Sequence, residues 1–189
     1  MIAICRLNVN VRFPPIADIG TQPLSSYPAV MADTYALFQI ADTAEEAGNY
    51  DLARKSFERA ASLGNADCLS RLARMYDIGL GVKVDKSEAM RLYKQAWRRG
   101  SFVAPNNIAI LYREQGKHRL MFQWFKRAVD WHDGDAMEIA KCYLHGRGVR
   151  RSSQEALRAL ALAVNSHCIT EAGRENAQAM LATMRPRPV

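Results

Sequence analysis

Apolar residues recur along the chain from residue 32 onward at the three- and four-residue spacing of amphipathic helices. Five series of matched positions return four times each, in one order: Ala41, Ala73, Ala109, Ala140; Ala44, Tyr76, Tyr112, Tyr143; Ala53, Ala89, Met121, Ala156; Phe57, Tyr93, Phe125, Leu160; Ala60, Ala96, Ala128, Ala163. Alanine lets two helices approach closely, and a large residue one turn away fills the adjacent space. The pattern predicts an all-α fold, a right-handed α-solenoid of about four helix-turn-helix repeats whose neighbours bury one another's apolar faces.

The turn between the two helices of a repeat has two predicted lengths. The distance from the first series to the third alternates between 12 and 16 residues, and the longer turns contain Gly-x-Gly-Val at 79–82 and 146–149. Gly79 and Gly146 suit a left-handed helix end. A capping box follows each turn, Asp85-x-x-Glu88 and Ser152-x-x-Glu155. Because neither turn has the longer glycine pattern of a phosphate loop, both glycine pairs are interpreted as corners.

The segment from Ala66 to Ala96, with Leu-Ala-x-x-Tyr-x-x-Gly-x-Gly-Val followed by Glu-Ala-x-x-x-Tyr-x-x-Ala, resembles a Sel-one-like repeat. The segment from Ala136 to Ala163 is similar to it. The first unit, with AGNYDLARKSFERAASLGN, resembles a tetratricopeptide repeat, and the third unit is a degenerate short-turned repeat. The resemblance covers about residues 32–164. It implies an α-solenoid that mediates protein–protein interaction or scaffolding, commonly in bacterial regulatory or signalling complexes, and it implies no chemistry.

Three regions are predicted along the chain. Residues 1–31 form a Pro-rich leader, interpreted either as a flexible or mis-assigned start or as an extended segment that docks on a partner or on the helices. Residues 32–184 form the repeat domain, which ends in a helix over about 170–184 that covers the last hairpin. Residues 185–189 form a basic tail.

Candidate binding residues lie on the first helix of each repeat, which lines the concave face of tetratricopeptide-like stacks. We call these polar positions the first-helix set: Gln39, Asp42, Arg71, Arg74, Asn107, Arg113, Glu138, Lys141 and His145. Paired arginines with a nearby amide could grip a carboxylate or phosphate of a peptide.

An alternative binding surface follows from the formal charge of +7, whose excess lies in the middle of the chain. We call these residues the basic set: Lys94, Arg98, Arg99, Lys117, Arg119, Lys126 and Arg127. On the convex side of the solenoid they could form one stripe that binds nucleic acid through its phosphates, with a steep salt dependence.

Other candidate groups favour structural roles. The tryptophans are expected to pack between repeats, with Trp124 the one that could also face outward as a partner anchor. Cys142 and His145 lie three residues apart, but two ligands do not make a metal site. The acidic cluster around His132 is interpreted as a turn and helix cap.

The sequence therefore predicts a non-enzymatic adaptor that binds a protein or peptide on its concave face, with nucleic-acid binding as the alternative. We expect no cofactor and no metal. The start of the chain has too short an apolar run for a signal peptide, and no stretch approaches the length of a membrane span, so a cytoplasmic location is expected.

Overall fold

A computed structural model describes residues 29–129, 136–166 and 169–184, with side chains from residue 33. The helices in these ranges are α1 (Ala29–Glu46), α2 (Tyr50–Ser62), α3 (Ala66–Ile78), α4 (Lys86–Arg98), α5 (Ala104–Glu114), α6 (His118–Val129), α7 (Ala136–His145), α8 (Ser153–Asn165) and α9 (Glu171–Met184). The chain divides into two compact units, and the boundary along the sequence falls between residues 104 and 105. The first unit contains α1 to α4, and the second contains α5 to α9. The first residue of α5 belongs to the first unit.

The matched apolar positions of the sequence form the cores of both units. In the first, third, fourth and fifth series no member exceeds 2% exposure, whereas the tyrosines of the second series are half-buried. In the second unit, Ala109 of α5 packs in one cluster with Met121 and Phe125 of α6 and with Ala140 of α7. Burial of each helical face depends on its neighbours, which is the packing expected of stacked hairpins.

One backbone hydrogen bond closes the turn in all four described hairpins. The amide N–H of the residue just before the second helix donates to the carbonyl of the second-series residue on the first helix. The pairs are Asn49 with Ala44 at 2.8 Å, Asp85 with Tyr76 at 2.8 Å, Lys117 with Tyr112 at 2.9 Å, and Ser152 with Tyr143 at 3.1 Å. The longer turns thus keep the hydrogen bond that closes the short turns, and their four additional residues loop out between its donor and its acceptor.

Local chemistry explains why the longer turns fold as they do. Gly79 ends α3 with φ of 77°, and Gly146 has φ of 67°, so the expected left-handed positions are confirmed. The side chain of Asp85 accepts from the amides of Ser87 and Glu88, and that of Ser152 accepts from the amide of Glu155. These N-caps satisfy amides that the helix itself leaves unpaired.

The predicted capping boxes form only their N-cap half. Glu88 accepts hydrogen bonds from Arg91, and Glu155 accepts one from Arg158, each three residues later on its own helix. A guanidinium one turn away offers each carboxylate a charged donor, which makes a stronger bond than a backbone amide. In a full capping box, the backbone amide of the N-cap residue would donate to the glutamate. Here the arginine one turn later donates to each glutamate in its place.

The predicted fold class is confirmed: the described chain is all-α, with four helical hairpins followed by the capping helix α9. Ala177 of α9 is fully buried, and Met180 and Leu181 pack on the core of the second unit. The leader up to residue 28, Trp131, His132 with its acidic neighbours, and the tail from 185 to 189 lie outside the described residues. Expectations about them stay predictions.

Candidate functional site

Three members of the first-helix set meet between α1 and α3 of the first unit. Arg71 of α3 forms an ion pair with Asp42 of α1, and its Nη2 lies 3.3 Å from Oε2 of Glu45. Arg74 Nη1 lies 2.7 Å from Oε1 of Glu45. Two arginines thus face two carboxylates from the neighbouring hairpin, and the formal charges of the four side chains cancel.

This ion-pair network is partly enclosed. The Glu45 side chain is only 14% exposed, and the Arg71 guanidinium lies 5.6 Å from the centre of the Phe57 ring. Glu45 Oε2 and Arg71 Nε are buried without a hydrogen-bond partner among the described residues. The 3.3 Å contact of Glu45 Oε2 with Arg71 is therefore an ion pair without hydrogen-bond alignment. Arg71 and Arg74 thus connect two hairpins through ion pairs, and their contact with a partner stays a prediction.

A second network joins α5 and α7 in the second unit. Arg113 Nη1 lies 3.3 Å from Oε2 of Glu138, and Lys141 Nζ lies 2.5 Å from Oε1 of the same carboxylate. Arg113 and Lys141 remain 45% and 38% exposed. Because two cations share one carboxylate, this network keeps one positive charge in excess, in contrast to the network of the first unit.

The other members of the first-helix set lie apart from these networks. Gln39 lines an apolar groove beside the turn of the first hairpin. Asn107 is half-buried on α5, and His145 is exposed at the end of α7. The set is therefore not one continuous cluster, and its charged members form one network in each unit.

Sequence reasoning missed Glu45, although a signal for it exists. Asp42 and Arg74 occupy matched positions, because each directly follows an alanine of the first series. Glu45 lies three residues after Asp42 on the same helical face. Opposite charges at matched or adjacent positions of successive repeats indicate ion pairs across a repeat interface. That comparison would have predicted internal pairing.

The basic set is divided between the units, with Lys94, Arg98 and Arg99 in the first and the remaining four in the second. Arg99 Nη1 donates a hydrogen bond of 2.9 Å to the carbonyl of Ala61, near the end of α2. This contact places a cation where a helix C-terminus carries partial negative charge. Arg99 therefore has a structural role within its unit.

Trp124 packs partly buried on the core of the second unit. The Arg127 guanidinium lies 4.6 Å from the centre of its ring, a cation–π geometry. The prediction that Trp124 is only partly buried is thus confirmed, whereas its role as a partner anchor stays a prediction. One cation of the basic set is engaged in this contact.

Two further polar groups join helices in ways that the repeat pattern did not predict. Ser101 Oγ donates to Asp67 Oδ1 at 2.9 Å and lies 2.8 Å from Ser70 Oγ, in a buried cluster. Burial raises the pKa of the Asp67 carboxyl, against a smaller lowering by the Ser101 hydrogen bond. On α9, Arg174 donates to the carbonyls of Val164 and Ser166 at the end of α8.

The described cysteines lack the character of metal ligands or nucleophiles. Burial raises the pKa of Cys68 to about 12 and that of Cys142 to about 11. A thiol that stays protonated is a poor nucleophile and a poor ligand. In the described ranges, no three His, Cys, Asp or Glu residues are grouped so that they could hold a metal ion.

None of the described helices has the length and apolar character that a bilayer crossing needs.

Comparison with family models identifies the repeats. Residues 66–101 and 136–158 match the Sel1 repeat, and residues 34–65 match a tetratricopeptide repeat. The resemblance predicted from the sequence is confirmed, including the assignment of the shorter turn of the first hairpin to the tetratricopeptide type. Repeats of these types are in general protein-interaction scaffolds.

Solved structures show the same fold at low sequence identity. The chain is 22% identical to c5321, a protective antigen of uropathogenic Escherichia coli strains displaying an SLR fold, with a TM-score of 0.66 over 85% of this chain and 34% of that protein. It is also 22% identical to a Sel1 repeat protein from Oxalobacter formigenes, with a TM-score of 0.66 over 82% of this chain and 63% of that protein. This chain thus spans less than two thirds of either relative. No curated protein sequence matches it.

Proposed function

We propose that this chain, which carries two Sel1 repeats and one tetratricopeptide repeat, is a non-catalytic adaptor that binds a protein or peptide through its first helices. The observation that supports this proposal most is the network of Arg113, Glu138 and Lys141. Two partly exposed cations share one carboxylate, so a carboxylate of a partner can join them without any rearrangement of the fold. The partner is therefore expected to present an acidic side chain or a C-terminal carboxylate.

The network of Arg71 and Arg74 has a different role in this proposal. Its charges are balanced by Asp42 and Glu45, and a partner carboxylate would have to displace an internal one. Displacement would leave a largely buried Glu45 without its cation, which is costly. Arg71 and Arg74 therefore hold α1 and α3 in register, and Arg113 with Lys141 makes the contact.

The absence of catalysis is part of the proposal. The described thiols have raised pKa values, and Asp67, a carboxyl whose pKa is raised by burial, bonds to Ser101 inside the first unit. A catalytic constellation needs titratable groups that converge on an accessible cleft. The networks described here instead connect neighbouring helices, as befits a scaffold.

Affinity capture of the tagged full chain from a lysate of its source tests the proposal. A double variant, Arg113→Gln with Lys141→Gln, is compared with wild type and with Arg158→Gln, a control that removes an exposed charge from α8 in the same unit. We expect one discrete protein partner that is lost in the double variant and retained in the control. Equal recovery in all three proteins would exclude these two residues as the binding site.

The same capture distinguishes the alternative function. Nuclease treatment before elution removes any protein that is held through bound nucleic acid, and that contact weakens steeply with salt. We expect recovery to survive nuclease treatment. Recovery that collapses with nuclease, and that falls in a variant with Lys117→Gln and Lys126→Gln, would favour the basic set instead.

A further inference from the structure

The turn between α7 and α8 lies against the start of α6, and both sides of this junction are basic. Gly148 is so close to the main chain there that an added β-carbon would stand 2.9 Å from the amide nitrogen of Arg119. Arg147 adjoins Gly148, and Arg150 follows it by two residues, which places the α-carbon of Arg150 within about 7 Å of that of Gly148. We call the four exposed cations of this junction the turn patch: Lys117, Arg119, Arg147 and Arg150.

The first unit forms the same junction without this charge. The glycine that matches Gly148 is Gly81, which lies against Tyr50 at the start of α2. The positions that match the turn patch hold Asn49, Asp51, Leu80 and Lys83. Their formal charges cancel, whereas the turn patch carries four positive charges and no negative one. Because the same junction forms with neutral chemistry, its packing does not require the cations.

The charge of the turn patch is not compensated by ion pairs among the described residues. The second helices α2, α4 and α8 each carry an acid in the first turn, and that acid pairs with an arginine of the same helix. The first turn of α6 has no acid, and Arg119 stands where α2 has Asp51. None of the four cations pairs with an acid of the described ranges. Lys117 and Arg119 also lie at the end of a helix that carries positive partial charge, which is unfavourable for a cation.

We propose that the turn patch binds an acidic segment of a protein partner, whose carboxylates supply the negative charge that the first unit has in Asp51. Clusters of basic side chains recognise acidic motifs through charge-assisted hydrogen bonds. This contact goes beyond the proposed function, because it uses α6 and the turn after α7 and does not involve Arg113 or Lys141.

The aromatic and apolar side chains beside the turn patch favour a peptide over a nucleic acid. Single strands of nucleic acid bind by stacking their bases on aromatic rings. Trp124 packs on the core of its unit, and the Arg127 guanidinium lies 4.6 Å from the centre of its ring, so that ring face is already covered. Leu120 directly follows Arg119 and is 38% exposed. It offers an apolar contact to a side chain of a peptide, for which a sugar-phosphate backbone has no counterpart.

Fluorescence anisotropy with two anionic probes tests the proposal. The probes are fluorescein-labelled oligoglutamate and oligothymidylate of equal length, and each is titrated with the full chain at physiological salt. We expect oligoglutamate to bind more tightly than oligothymidylate. The reverse order would overturn the proposal in favour of a nucleic acid. A complete lack of oligoglutamate binding would overturn it as well.

A variant that copies the first unit makes the result specific. Lys117→Asn with Arg119→Asp installs the residue types of the matched positions Asn49 and Asp51. We expect oligoglutamate to bind at least about tenfold more weakly, because two of the four cations are lost. The midpoint of urea unfolding should stay equal or rise, since a helix start favours these residues over cations. A lower midpoint would assign the cations a role in folding and would overturn the proposal.

Two control variants separate the turn patch from other causes. Lys55→Asn with Arg91→Asp makes the same substitutions at side chains of the first unit that are 64% and 61% exposed, and we expect a change in affinity below about twofold. A loss as large as that of the patch variant would show that net charge alone governs binding. Arg113→Gln with Lys141→Gln should leave most of the oligoglutamate binding. Binding that is lost in that variant and retained in the patch variant would overturn this inference while supporting the proposed function.

Discussion

Gly148 lies so close to the main chain of His118 that a β-carbon at residue 148 would stand 1.9 Å from the His118 carbonyl oxygen. Its counterpart in the first unit is Gly81, where a β-carbon would stand 2.2 Å from the β-carbon of Tyr50. His118 and Tyr50 each begin the second helix of the preceding hairpin. The second glycine of each long turn therefore seats that turn against the hairpin before it, in addition to turning a corner.

This contact predicts different costs for two neighbouring glycines. Gly148→Ala should lower the free energy of unfolding by about 3 kcal/mol, because a strained positive φ adds to a clash with backbone atoms. Gly146→Ala has a similar φ, but its nearest contact would be 3.7 Å, so about 1 kcal/mol is expected. Urea unfolding of both variants provides the measurement. An equal loss of stability in the two variants would show that the backbone around His118 shifts without cost to admit the added β-carbon.

The ion-pair network between α1 and α3 predicts a cost for removing one charge. Glu45→Gln should lower the free energy of unfolding by about 1–2 kcal/mol, since Arg71 and Arg74 lose a shared, largely buried carboxylate. Glu46→Gln makes the same change at the next, exposed position and should be nearly neutral. Chemical denaturation at two salt concentrations checks both. A loss in Glu46→Gln as large as that in Glu45→Gln would point to net charge as the cause.

The raised pKa of Asp67 predicts a pH dependence of defined sign. The folded chain binds a proton at Asp67 more readily than the unfolded chain, whose Asp pKa is near the ordinary 3.8. The stability that Asp67 contributes is thus present below pH 3.8 and falls as pH rises through the folded pKa. Asp67→Asn should therefore gain stability relative to wild type as pH increases from about 3.8.

Asp51→Asn is the matched control for this pH series. Lys55 and Arg54 hydrogen bonds lower the pKa of Asp51, so its contribution is present above the ordinary Asp pKa and is lost as pH falls. The two variants should differ from wild type with slopes of opposite sign in thermal unfolding between pH 3 and 7. Slopes of the same sign would refute the assignment for Asp67.

The buried thiols predict low reactivity in the folded protein. With pKa values of about 12 and 11, Cys68 and Cys142 should be thiolate at only about one part in ten thousand and one in a thousand at pH 8. A variant with Cys5→Ser and Cys168→Ser isolates these two groups. We expect labelling by iodoacetamide to be slow in the folded state and rapid in urea. Fast labelling of the folded variant would show that the helices open frequently.

The sequence alone determined the features that depend on neighbouring residues. Periodic alanines and aromatics placed the helices, Gly79 and Gly146 marked the left-handed helix ends, and Asp85 and Ser152 marked the N-caps. Each of these features follows from residues within one or two turns of helix, so a local pattern is sufficient to predict it.

Only the tertiary structure decided which polar side chains meet. Arg71 pairs with Asp42 across 29 residues, Arg113 with Glu138 across 25, and Ser101 with Asp67 across 34. Such pairs depend on how one hairpin is rotated against the next, which the spacing of apolar residues does not fix to within a hydrogen-bond length. The sequence therefore located the helices that carry the candidate residues, whereas the stacking of those helices turned most of the charged candidates toward one another.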